Sequence, residues 1–335
     1  MLKQISLKLT WLVLLLFLTA SQQANKRIKH HIKVTHPGLE GAAYNDLIEL
    51  RGEEGETLGY YMDVVSVYCE ANVCRVDTVR LFWDLIGRYN QFSLPAGVSL
   101  EKNGGDGFTQ ADYELLHQIL INKNARFKTL SLSELIKKNN ADNEHDLDGY
   151  SGATIIELSE KESVKGAALS CYALWHWANN AVCDTMPLLT ASNSDNKLLL
   201  EYLASSDRDM QLFAIKEMTK RELNNATAVE ATLNALCQSN SLYTSGESFL
   251  LQAGSVYDQQ VAAYILKTSN YQHLNLLLNV LEQYNSNAGI ENCMSLLDGD
   301  IIIARRAYYY LTNQKLDKKQ LQQVKKFARQ HHKYL

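Results

Sequence analysis

After its first twenty or so positions the chain has no apolar run long enough to span a bilayer, which takes roughly 20 residues. No later segment is therefore expected to cross a membrane. The sequence also lacks a glycine-rich nucleotide loop, a nucleophile elbow and zinc-finger spacing, so kinase, hydrolase and zinc-module readings have no support. Charge of one sign is scarce. The formal net charge is −4, and loss of Lys3 and Lys8 with a leader would take it to −6, so no nucleic-acid partner is expected. No cysteine closely follows the first apolar run, which argues against lipidation there. No proline follows Pro187, which leaves the C-terminal half open to helix.

What is present at the start reads as a secretory signal over 1–21. Lys3 and Lys8 precede an apolar run from Leu9 to Ala20, and Thr19 and Ser21 are small residues spaced for cleavage. A membrane anchor is the rival reading, but the run is only about a dozen residues. The exported product is expected in the periplasm, free or membrane-associated. Two domains follow from its length, at 47–189 and 195–335, after a linker at 22–46. The basic cluster Lys26, Arg27, Lys29 and Lys33, with His30 and His31, reads as a solvated part of that linker; a metal site or membrane-surface contact is the sharper alternative.

All six cysteines lie in the exported portion, where disulfides persist. Cys69 and Cys74 flank the polar turn Glu70-Ala71-Asn72 and are expected to pair. Their spacing differs from the two-residue spacing of thioredoxin-like redox sites. Cys171, Cys183, Cys237 and Cys293 read as buried small hydrophobes.

Strand patterns occupy 47 to about 92. Leu47 to Leu50 and Leu58 to Tyr61 flank a turn at Gly52-Glu53-Glu54-Gly55, and Val79, Leu81 and Trp83 alternate with Arg80 and Phe82. Helix follows between Thr109 and Asn122, capped by Thr109 and Asp112, with Tyr113, Leu116, Ile119 and Leu120 at helical spacing. A second cap pair is Ser131 and Glu134. The acidic stretch 139–148 should be an exposed loop. Ser159 and Glu162 then read as the cap of a helix whose apolar stripe is Val164, Ala167, Ala168, Cys171, Leu174, Trp175 and Ala178, opening just after Thr154. Trp83, Tyr172, Trp175, His176 and Trp177 could flank a flat heterocycle, but core positions suit the tryptophans better, and His176 reads as a boundary residue. From Asp195 onward the pattern is helical throughout. Met210, Ala214 and Met218 after one polar turn match Ile303, Ala307 and Leu311 after another, which resembles HEAT or armadillo-like repeats. An irregular bundle is the alternative.

The segment Asp148-Gly149-Tyr150-Ser151-Gly152-Ala153-Thr154 resembles the attachment motif of the FMN-binding domain family, whose members serve the Rnf electron-transport complex and the sodium-pumping quinone reductase. Asp148, Ser151, Gly152, Ala153 and Thr154 match it residue by residue. The resemblance implies covalent FMN, moved from FAD onto the Thr154 hydroxyl by a flavin transferase, with Asp148 and Ser151 in positioning roles. Bottom-up chemistry agrees, because a hydroxyl that attacks phosphorus needs open backbone around it, as Gly152 and Ala153 provide. The sequence departs from the family in two ways: no second Thr or Ser stands two residues after Thr154, and the family's Pro-Gly-Leu-Gly-type loop is not recognisable.

The expectation is therefore an α+β chain, with a strand-rich FMN-binding-like domain followed by an all-α repeat domain. It would act as an exported electron-transfer flavoprotein whose partners are the transferase and a redox protein, soluble or membrane-bound. A non-redox interaction scaffold with a vestigial attachment site is the alternative. No catalytic residue and no metal ligand is assigned.

Overall fold

A computed structural model describes residues 26–67, 76–103, 105–135 and 158–332. It is α+β and divides into two compact units, Met1–Asn193 and Ser194–Leu335.

Unit 1 begins with a five-stranded antiparallel meander, β1 Lys26–Thr35, β2 Ala42–Arg51, β3 Thr57–Val65, β4 Thr78–Trp83 and β5 Tyr89–Ser93, in that spatial order. The expected linker at 22–46 is thus corrected over 26–46, which holds β1 and the first half of β2. The reason lies in alternation: Ile28, His30, Ile32 and Val34 turn toward the sheet's covered side, while Arg27, Lys29, His31 and Lys33 are exposed. β1 is an edge strand, and lysines on an exposed edge discourage pairing with another chain. The turn at Gly52–Gly55 joins β2 to β3, with Gly55 at φ +85°. Trp83 faces Tyr60 across β3 and β4. Gly59 is needed opposite them, since a Cβ there would stand 2.8 Å from the Trp83 carbonyl oxygen.

Unit 1 also holds the helices α1 Gln110–Ile121, α2 Ala168–Asn179 and α3 Val182–Asn193. The capping box of Thr109 and Asp112 starts α1 as its sequence indicates, and Leu116, Ile119 and Leu120 are its buried face. Ser131 and Glu134 also form their reciprocal cap. Helix α2 is central, packing on α1, α3 and β3, and its buried positions run from Ser170 to Ala178. Polar side chains pin it by main-chain oxygens. Trp83 Nε1 donates to Ala178 O at 2.9 Å and His36 Nε2 to Ala173 O at 2.9 Å. From α2 itself, Trp175 Nε1 reaches Asn122 O, Asn179 reaches Leu120 O and Tyr172 reaches Leu130 O.

Unit 2 is helical in all its described elements: α4 Asn196–Leu203, α5 Arg208–Lys220, α6 Ala226–Gln238, α7 Tyr243–Ala253, α8 Asp258–Ala262, α9 Tyr271–Gln283, α10 Ile290–Leu296, α11 Ile301–Thr312 and α12 Lys318–Gln330. Asp195, Asp207, Asn225, Asn270, Asp300 and Asp317 each accept hydrogen bonds from first-turn amides, the capping that short side-chain acceptors provide. Successive helices pair, α4 with α5, α6 with α7, α8 with α9 and α10 with α11. The second members also stack in series, α5 on α7, α7 on α9 and α9 on α11. Side-chain bonds between neighbouring layers share a sequence separation near thirty: Tyr257 to Asn224 O at 33, Tyr264 to Asn234 at 30 and Arg306 to Asn275 at 31. Met210, Ala214 and Met218 of α5 and Ile303, Ala307 and Leu311 of α11 are all buried, and those from Ala214 onward join one continuous core.

Candidate functional site

Asp148, Ser151, Gly152, Ala153 and Thr154 lie outside the described residues, as do Cys69 and Cys74. The described residues nearest the motif in sequence are Leu135 and Leu158. Leu135 on one side is buried in the unit 1 core, and Leu158 on the other packs against the same core. The Ser159 N–H donates to Glu162 Oε2 at 2.8 Å, but the expected helix from that point is corrected. Residues 160–166 form turns, Gly166 takes φ +75°, and α2 begins only at Ala168, with Ala167 as an uncapped start. Val164 and Ala167 are buried as their spacing indicates, on turns instead of a helix.

The aromatic cluster is core. Trp83, Tyr172, Trp175 and Trp177 are all nearly inaccessible, and His176 is only 6 % exposed, which corrects its reading as a boundary residue. Sequence reasoning missed His36, which stacks on Trp177 with ring centroids 4.5 Å apart and accepts the Gly38 N–H at Nδ1. Its Nε2 therefore carries the proton donated to Ala173. Burial pushes the pKa of His36 down to about 4 despite that bond, and burial with the nearby His36 does the same to His176. Both imidazoles are neutral near pH 7. Trp177 also lines a cleft of about 360 Å³, together with Val34, Leu39, Tyr44, Asp63 and Val65.

The most polar buried point is Glu49 on β2, fully inaccessible. Its carboxylate accepts from Thr57 Oγ1 at 2.6 Å, Arg51 Nε at 2.9 Å, His30 Nε2 at 2.8 Å and Asn193 Nδ2 at 3.0 Å. Burial works to raise its pKa, but the bonds from Thr57, Arg51 and His30 outweigh burial and leave the group below its ordinary value. The basic cluster is thus divided: His30 joins this knot, while Lys29 and His31 meet Asp46 at the surface. Among the described residues no group of three or more His, Cys, Asp or Glu is placed to hold a metal.

The described cysteines are free thiols. Cys171 and Cys293 are buried, and burial raises their pKa to about 11 and about 12, which suppresses thiolate chemistry. Cys237 departs from its expected burial, lying on the outer side of α6. No helix among the described residues is long and apolar enough to cross a membrane.

Compared with protein-family models, curated proteins and solved structures, the chain matches none. The likeness to FMN-binding domains therefore rests on Asp148 to Thr154 alone.

Proposed function

We propose that this chain is an exported flavoprotein that carries FMN covalently on Thr154 and passes electrons between partner proteins. The observation that carries this reading is the residue-by-residue match of Asp148, Ser151, Gly152, Ala153 and Thr154 to a flavin-attachment motif, downstream of a leader-like N-terminus. In the attachment step the Thr154 hydroxyl oxygen bonds to the FMN phosphorus of FAD. The phosphoanhydride bond breaks, AMP leaves with its electron pair, and the hydroxyl proton passes to base. When bound, FMN supplies one- and two-electron transfer, with the protein setting potential and access. The neighbouring chemistry is compatible with a tethered group: Cys171 and Cys293 are buried thiols with raised pKa values, and the cleft beside Trp177 has a mixed lining, with Val34, Leu39 and Val65 alongside Asn45, Asp63 and Thr78.

Unit 2 is read as the docking part. Paired helices stacked in series, cross-linked at separations near thirty residues, suit a HEAT-like repeat, whose extended surface binds a partner. The test is direct. Protein exported alongside a flavin transferase should be heavier by FMN less one water and fluoresce as a denatured gel band. Thr154→Val should fold normally and lose both signals. An unmodified wild-type mass, or equal flavin in Thr154→Val, would leave the scaffold reading as the better one.

A further inference from the structure

Helix α12 has two unlike faces. Val324 and Phe327 are buried, with the Phe327 ring 5.6 Å from that of Tyr308 on α11, and Gln320 donates to Glu291 of α10 at 2.7 Å. At 3.6 residues per turn, Lys318, Lys319, Lys325, Lys326 and Arg329 all fall within an arc of about 120° on the opposite side. All five are exposed. The ion pairs of unit 2 lie elsewhere, at Lys197–Glu201, Lys220–Glu217, Arg221–Glu217 and Arg306–Glu282, so among the described residues these five cations have no carboxylate partner.

A solvated end to a helical stack needs a polar face, but it does not need a face of one sign. Here part of the arrangement works against the helix itself, although Arg329 in the last turn is favoured there. Lys318 and Lys319 occupy the first turn, where the positive end of the helix dipole repels them. Lys325 and Lys326 stand four and three residues before Arg329, so like charges are surface neighbours. The remainder of the chain is acidic, since the whole carries −4. A one-signed patch that costs its own helix stability is explained by an anionic partner.

The composition of the face decides between partners. Protein interfaces concentrate their energy in aromatic and arginine anchors and are poor in lysine. This arc holds four lysines, one arginine and Gln322, with no aromatic residue. Such a smeared positive charge suits a dense, laterally mobile array of phosphates. We propose that the outer face of α12 binds the headgroups of an anionic phospholipid surface and so holds the exported protein against a membrane. The inference stands whether or not Thr154 carries flavin.

The experiment uses the full exported chain with vesicles of phosphatidylcholine alone or mixed with phosphatidylglycerol, measured by co-sedimentation. The protein should bind the anionic vesicles, ignore the neutral ones, and be released as salt screens the charges. Each lysine removed should weaken binding about fivefold. The quadruple variant Lys318→Gln, Lys319→Gln, Lys325→Gln and Lys326→Gln should therefore lose on the order of several-hundred-fold. Its helix should persist, because glutamine is a good helix former. The matching Lys→Arg quadruple keeps the charge and should keep the binding, which separates loss of charge from loss of fold. Equal binding to both vesicle types, or undiminished binding by the glutamine variant, would overturn the proposal. Binding to polyglutamate but not to anionic vesicles would also overturn it and assign the face to an acidic protein.

Discussion

Glu49→Leu should destabilise unit 1 by about 2 kcal/mol. The substitution deletes a fully inaccessible carboxylate and leaves its donors behind. Thr57 is itself buried, so its hydroxyl loses its acceptor without gaining water, at roughly 1–3 kcal/mol, whereas the exposed Asn193 can turn its amide to solvent. His30 and Arg51 keep 22 % of their side-chain surface exposed and can turn partly to solvent, which limits their share. Burying leucine carbons returns about 1–2 kcal/mol. The total falls below the roughly 3–5 kcal/mol seen when one partner of a buried ion pair is removed, because three of the four donors can reach solvent. Glu49→Gln should cost only about 1 kcal/mol, because the amide oxygen can still accept from Thr57 and Arg51 while the amide N–H faces the His30 ring. The assay reads unit 1 selectively. Trp83, Trp175 and Trp177 lie in it and no tryptophan lies in 194–335, so indole emission in urea follows this unit alone. With a slope near 2 kcal/mol per molar, the leucine variant should unfold at about 1 M less urea. The sign with pH is also fixed. A carboxylate held below its ordinary 4.5 contributes stability that is complete above that pH and lost as pH falls through the lowered value, so the gap between wild type and Glu49→Leu should shrink in acid. An unchanged midpoint for Glu49→Leu would refute the reasoning, since it would mean that desolvation of the carboxylate already cancels its bonds.

Unit 1 should also weaken between pH 6.5 and about 4, because His36 and His176 have lowered pKa values and the unfolded chain binds their protons first. The slope is about 1.4 kcal/mol per pH unit for each histidine within that window, and His36→Gln should remove about half of it in the same urea assay. In unit 2, Gly246→Ala would set a Cβ 2.6 Å from Leu236 Cδ2, an overpacking expected to cost about 1–3 kcal/mol; far-UV circular dichroism on heating should show the loss. Titration of the denatured, unreduced protein should find four reactive thiols, from Cys171, Cys183, Cys237 and Cys293, if Cys69 and Cys74 are paired; six would rule the pair out.

Much of the sheet was legible because half-buried strands write their periodicity directly. Val79, Leu81 and Trp83 alternate with Arg80 and Phe82, and the first three are the buried set. The same rule reads β1, where Ile28, Ile32 and Val34 repeat at even spacing, but the intervening lysines and histidines made the segment look solvated. An edge strand is where such residues belong. Glu49 left a fainter signal. It stands two residues after Leu47 and so shares its inward face, yet its partners His30, Thr57 and Asn193 come from 19, 8 and 144 residues away, and no local pattern announces a convergence of that range. In unit 2 the opposite holds, since most helices carry their own Asp or Asn cap and their own stripe, so most of what assembles it is local.

The displaced start of α2 bears on the flavin reading itself. A helix opening just after Thr154 would have turned its first amides and the positive end of its dipole toward a phosphoester there. Helix α2 instead begins at Ala168, and its way in is a left-handed Gly166 whose carbonyl accepts from the Asn103 N–H at 2.6 Å. Fourteen residues separate Thr154 from that start, while the dipole's influence fades within a turn. The apolar stripe misled because Val164 and Ala167 are buried by the same core that receives the helix, and burial at helical spacing does not require helical backbone. The helix start expected just after Thr154 therefore lends no support to a phosphoester there. If Thr154 takes FMN, attachment would depend on the short side chains of Gly152 and Ala153 beside it as the transferase meets them. On the proposed reading, the specificity of the modification would lie in the enzyme's recognition of the segment.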